Sequence, residues 1–210
     1  MYRAARLRIV DLVTAAPDGA GDVERRGRLP VPATPLWDVH DVVAHLSGIV
    51  DDVRAGNMEG VTTDPWTAAQ VERARGRSVA EMVAGWNHGA PTIEGFLSSP
   101  DGASAYRAVL DIHTHEADLL NALGRTVALP AEFLGWAAPV LLDDFHAAVA
   151  AAGLAPVAVD VTAFEVFRSR LGRRTTAEVT SYPWSLDPGP YLDSWFVFGR
   201  AEQSLGEGDG

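Results

Sequence analysis

Apolar positions recur at helical spacing over most of the first 150 residues. In residues 2–16 the repeat runs through Ala5, Ile9, Leu12, Val13 and Ala16, with arginines on the opposite face, and predicts a helix that Pro17, Asp18 and Gly19 end. Residues 20–35 carry Pro30, Pro32 and Pro35 and read as an extended loop. A second helix opens at Asp38. Its N-cap carboxylate and Asp41 three residues on form a variant of the capping box, and Gly56 is its C-cap. The apolar stripe of this helix is Val42, Leu46, Ile49 and Val53, and His45 lies on it. After a loop at 57–65, a short helix is predicted from Trp66 to Arg75. Ser78 and Glu81 cap a longer one, whose inward face is Val79, Met82, Val83, Trp86, Ile93 and Leu97, and which Gly89 and Pro91 should kink or split.

Residues 104–123 repeat the pattern with Ala108, Ile112, Leu119 and Ala122, and Gly124 stops them. Pro130, suited to a first helical turn, opens a further helix to about Ala152. After Gly153 the texture changes. Val157 to Val161 reads as a lone strand or extended link, Thr162 and Glu165 cap a short helix through Arg170, and Thr175 or Thr176 caps another. The tail is turn-rich and aromatic (Trp184, Tyr191, Trp195, Phe196, Phe198). It is too apolar to stay unpacked, whereas 204–210, rich in glycine and acid, should fray. The expected fold is all-α: a bundle of about four long helices over 1–153, with a short mixed extension at 154–210 packing on it.

Composition narrows the chemistry. There is no cysteine, which excludes disulfides, thiolate metal ligands and a cysteine nucleophile. There is no lysine either. All 17 basic residues are arginine, so Schiff-base chemistry and a P-loop are excluded. A net charge of −11 argues against nucleic acid as a partner. The longest apolar run, Phe133 to Leu142, stops at Asp143, well short of the roughly 18 residues of a membrane span. Asp11 interrupts any signal-peptide core behind Arg3, Arg6 and Arg8, so the expected location is the cytoplasm.

Of six histidines, His40, His88 and His146 have no patterned partner. The informative segment is Asp111-Ile-His113-Thr-His115-Glu116-Ala-Asp118. Asp111 and His115, four apart, project from one helix face, with Asp118 on the same side and His113 pointing away. If this helix faces the one carrying His45, two imidazoles and a carboxylate converge in the bundle core. Such a set holds a divalent metal with a position left open, as catalytic sites do. A lone histidine on an apolar stripe is more commonly a hydrogen-bonded core residue. Asp–His pairs four apart are also common on solvated helices.

The run Pro35-Leu-Trp37-Asp-Val-His-Asp41-Val-Val-Ala-His45-Leu-Ser-Gly48 resembles the N-terminal motif of the mycothiol-dependent maleylpyruvate isomerase family. Asp111, His115 and Asp118-Leu119 resemble its second motif: a carboxylate, three residues, His, two residues, Asp-Leu. Tyr2-Arg-Ala-Ala-Arg6, Asp64-Pro-Trp66-Thr-Ala-Ala-Gln70, Phe164-Glu-Val-Phe-Arg168 and Gly172-Arg-Arg174 add to the likeness, which spans nearly the whole chain. The resemblance implies a DinB-like metal-binding four-helix bundle. It implies a metal, usually zinc, held by His45, Asp111 and His115. The family often has Glu where Asp111 stands, so Glu116 is an alternative carboxylate. The implied chemistry is thiol-dependent: mycothiol, its sulfur on the metal as thiolate, attacks a small electrophile. The outcome is isomerisation or thiol transfer. Arg168, Arg173 and Arg174 are candidates to hold anionic groups of the thiol cofactor or a substrate carboxylate, against the plainer reading of a solvated charged turn. The family's full isomerase has a larger C-terminal α/β domain than the segment after 153. Two other readings stay open: a metal-binding helical module without thiol chemistry, such as a small hydrolase or sequestering protein, and a scaffold that has lost its metal. Oligomeric state is not legible.

Overall fold

A computed structural model describes residues 1–15 and 21–206. The expected helix stop at Pro17–Gly19 and the last four residues of the tail lie outside them. Among the described residues the chain is mostly helical and forms no strand, in keeping with the all-α expectation. It divides into two compact units, Met1–Arg125 and Thr126–Gly210.

The first unit contains α1 (Tyr2–Thr14), α2 (Gly21–Gly27), α3 (Val39–Ala55), α4 (Asp64–Ala74), α5 (Val79–Leu97), a 3-10 turn (Pro100–Ala105) and α6 (Tyr106–Ala122). Capping chemistry sets the start of α3. The Asp41 amide donates to Asp38 Oδ1 at 2.9 Å and the Asp38 amide to Asp41 Oδ2 at 3.4 Å. Gly56 ends it at φ 70°, a left-handed turn that glycine adopts without strain. Ser78 and Glu81 form the same box at α5. That helix is not split: it runs unbroken through Gly89 and Pro91. Val39, Val42, Val43, Leu46 and Val50 are the buried apolar face of α3.

α1 packs on α5 and α6, α3 packs on the same two, and α4 lies against α3. The four long helices therefore close a ring around Ile9, Val42, Leu46, Met82, Trp86, Ile112 and Leu119, all essentially buried. Each such aliphatic side chain contributes roughly 1.5–3 kcal/mol when fully buried. Helix α2 lies in what the prolines mark as a loop. It has no apolar repeat to betray it. Its charges follow the helix dipole instead, with Asp22 and Glu24 in the first turn and Arg25 and Arg26 in the last.

The second unit contains α7 (Ala131–Ala151), α8 (Ala163–Arg170), α9 (Thr176–Thr180), a 3-10 turn (Gly189–Tyr191) and α10 (Leu192–Trp195). The boundary expected at 153 therefore differs from the division observed. Helix α7 packs on α8 and α10 within this unit. The segment 157–161, expected as a lone strand or extended link, is extended and makes a single bridge, Val159 to Trp184; among the described residues no neighbouring segment extends the pairing into a ladder. The aromatic tail does pack back, within its own unit. Trp195 is fully buried, with its ring 5.0 Å from those of Phe145 and Trp184. Phe198 stays exposed. No described helix is long and apolar enough to cross a membrane.

Candidate metal centre

The packing of α3 on α6 brings together the three residues that the sequence singles out. His45 Nε2 lies 3.6 Å from Asp111 Oδ2, and His115 Nε2 lies 3.6 Å from Asp111 Oδ1. One donor atom from each of the three sits within 4.8 Å of the others. The two imidazole rings are 5.2 Å apart and nearly perpendicular. Both histidines are buried, while the Asp111 side chain is 35% exposed and forms the open side of the cluster. At 3.6 Å these contacts are too long for hydrogen bonds. Around a tetrahedral zinc with bonds of about 2.0–2.1 Å, ligand atoms stand roughly 3.3–3.4 Å apart; the donors suit such an ion in type, and each histidine–carboxylate separation is close to that value.

Three neighbours flank the histidines. Gln70 Oε1, from α4, is 2.7 Å from His45 Nδ1. Gln70 Nε2 donates in turn to Asp52 Oδ2 at 2.8 Å. Asp118, wholly buried, has Oδ2 at 3.6 Å from His115 Nδ1, on the far side of that ring from Asp111. The Trp37 ring lies 5.3 Å from His45 and 6.1 Å from His115. Trp37 reads from sequence as an anchor for the helix entry, yet it flanks both imidazoles. Asp52 carries no signal of its own in the sequence, and Gln70 appears there only as the last residue of the Asp64–Gln70 run. The available hint is that His45, Gly48 and Asp52 share one face of α3, with Gly48 leaving room for a crossing helix.

Electrostatics follow from these contacts. Burial works against a charged His45, but Asp111 and the bond to Gln70 outweigh it and hold its pKa above the ordinary histidine value. Burial also opposes ionisation of Asp52. The bonds from Asn57, Gln70 and Arg73 prevail and keep its carboxyl below the usual range. Burial, with a smaller contribution from the charge of Asp111, pushes the Tyr2 hydroxyl above the ordinary phenol range.

The remaining candidates have other partners. Glu116 meets Arg8 through two bonds of 2.5 and 2.8 Å, so its carboxylate is committed to α1, and Asp111 is the carboxylate beside the histidines. His113 Nδ1 lies 2.8 Å from the Val109 carbonyl, and burial lowers its pKa to about 4. Asp38, His40 and Asp41 also cluster, but the two carboxylates form the α3 capping box and His40 Nε2 meets the Arg77 carbonyl. Arg168, Arg173 and Arg174 are neither solvated nor open to an anion. They are buried in the second unit. Arg168 donates to the Leu205 carbonyl, Arg173 to that of Leu171, and Arg174 bidentately to Glu165. Their placement gives no support to a role in holding a thiol cofactor. Arg168 and Arg174 both donate to the Leu205 carbonyl and so tie down the C-terminal segment.

Comparison with family models, with curated proteins and with solved structures finds no match.

Proposed function

We propose that His45, Asp111 and His115 hold a divalent cation, zinc by the character of the donors. The ring of α1, α3, α5 and α6 would then be a DinB-like four-helix bundle. The protein would act as a mycothiol-dependent isomerase or thiol S-transferase on a small electrophile. One observation carries the metal reading: each imidazole Nε2 lies 3.6 Å from a different oxygen of the same carboxylate, and one donor atom from each of the three residues lies within 4.8 Å of the others. Two histidines and a carboxylate leave a coordination position open for a substrate or thiol.

When bound, the cation supplies the positive charge that favours the thiolate of a ligating thiol. The chain's own residues do the remainder. His45 and His115 offer nitrogen donors from a dry interior. Asp111 brings a negative charge and, being partly exposed, stands on the side from which a small molecule enters. Trp37 packs beside both rings. The sulfur must come from outside, since the chain has no cysteine. The thiol step and the choice of mycothiol are supported by the resemblance of the His45 and His115 motifs.

Elemental analysis of protein expressed with ample metal tests the first part. Equimolar metal is expected in the wild type and none in His45→Ala or His115→Ala. A metal-free wild type overturns the reading in favour of a bare binding scaffold. Thermal shift of the zinc-loaded protein with mycothiol and with other thiols tests the second. A larger shift with mycothiol is expected. Equal, negligible shifts would leave a metal-binding module without thiol chemistry.

A further inference from the structure

His45 has two ring nitrogens, and only the one that lacks a proton can ligate a metal. Which one that is depends on a hydrogen-bond chain leading away from the cluster. Asp52, 3% exposed, accepts from three donors: Asn57 Nδ2 at 2.9 Å, Arg73 Nη2 at 2.7 Å and Gln70 Nε2 at 2.8 Å. A carboxylate only accepts, so the Gln70 amide must turn its NH2 toward Asp52. Its oxygen then faces His45 Nδ1, 2.7 Å away. That oxygen also only accepts, so Nδ1 must carry the ring proton. Nε2 is left with its lone pair directed at Asp111. The opposite amide orientation sets oxygen against carboxylate in a site where Gln70 is 1% exposed, and burying two facing acceptors is costly.

The crossing of α4 over α3 makes this chain possible. His45, Gly48 and Asp52 lie on one face of α3, and Gln70 and Arg73 on the facing side of α4. A side chain at 48 would put its Cβ 2.7 Å from Gln70 Cβ. Only glycine there lets α4 come close enough for Gln70 to reach His45.

We propose that Asp52 and Gln70 are positioning residues, which hold His45 as the Nδ1-protonated tautomer with Nε2 aimed at the metal position. The proposal rests on the metal reading above for its purpose, but its hydrogen-bond content stands apart and is tested separately. Nitrogen NMR of the metal-free wild type at alkaline pH reads the tautomer directly. The Nδ1–H form is expected for His45, and an Nε2–H form overturns the proposal. Zinc titration then compares two variants of confirmed fold. Gln70→Leu keeps the volume but removes the acceptor, and should weaken zinc binding roughly 10- to 100-fold. The double exchange Asp52→Asn with Gln70→Glu reverses donor and acceptor between the two positions, yet still presents a carboxylate oxygen to Nδ1. It should retain zinc affinity within about threefold of the wild type, well inside the 10- to 100-fold loss of the single change. If Gln70→Leu binds zinc like the wild type, or the double exchange falls as far as Gln70→Leu, the pair is merely structural and the proposal fails. A wild type that shows the Nδ1–H form but takes up no zinc sinks the metal centre while supporting the hydrogen-bond chain.

Discussion

Single carboxylates in this protein are committed to different tasks by what surrounds them. Asp111 faces two imidazoles, Glu116 is clamped by Arg8, and Glu165 is clamped by Arg174 and by the Tyr182 hydroxyl at 2.7 Å. Burial alone would raise Glu165, but Arg174 and Tyr182 outweigh it and hold its pKa below the ordinary 4.5. The unfolded chain therefore binds more protons than the native one between the depressed value and 4.5. The stability that Glu165 contributes is present above 4.5 and is lost as pH falls through its native pKa. Urea unfolding of the second unit should show this as declining stability in acid. Glu165→Gln should be less stable at neutral pH and should flatten the acid slope. An unchanged slope would mean that another group dominates.

Helices meet here at positions where a side chain is missing as much as where one is present. Gly48 sits where α4 crosses α3, and a methyl group there strikes the Cβ and Cγ of Gln70 at 2.7 and 2.8 Å. Neither is the far end of a flexible side chain, so the backbone of α4 has to give. Gly48→Ala should cost about 1–3 kcal/mol in chemical denaturation despite its better helix propensity. It should also weaken zinc binding, because Gln70 is carried away from His45. A stabilised Gly48→Ala would show that the crossing is looser than the distances imply. The helices themselves were largely legible. The boxes at Asp38–Asp41 and Ser78–Glu81 and the glycine at 56 mark α3 and α5, since capping is local chemistry readable from a few adjacent residues. α2 was not legible, because its seven residues carry charge order and no apolar stripe.

Across the whole molecule, the two units should respond differently to metal. Ligand that binds only the native form stabilises it by about 2.7 kcal/mol at a hundredfold excess over Kd. The cluster lies entirely within Met1–Arg125. Removing the proposed zinc with a chelator should therefore speed hydrogen exchange in α3 and α6 and leave α8 and α9 unchanged. Equal loss of protection in both units would tie their unfolding together. The sequence groups α7 with residues 1–153, whereas its contacts group it with Thr126–Gly210, because α7 looks like any bundle helix. Its apolar periodicity says that it has a buried face and nothing about which partner buries it.

Local regularities were readable in advance: the helical class, the caps, and the placing of Asp111 and His115 on one face, all of which follow from 3.6-residue geometry over a few turns. That His45 joins them was conditional on two helices facing each other, and only packing of α3 on α6 meets the condition. Tertiary structure alone decided that Gln70 and Asp52 stand behind His45, that Glu116 goes to Arg8, and that Arg168, Arg173 and Arg174 are buried. The physical reason is common to these cases. A polar side chain needs a partner wherever it is buried, but its own sequence neighbourhood does not say which distant group will supply it.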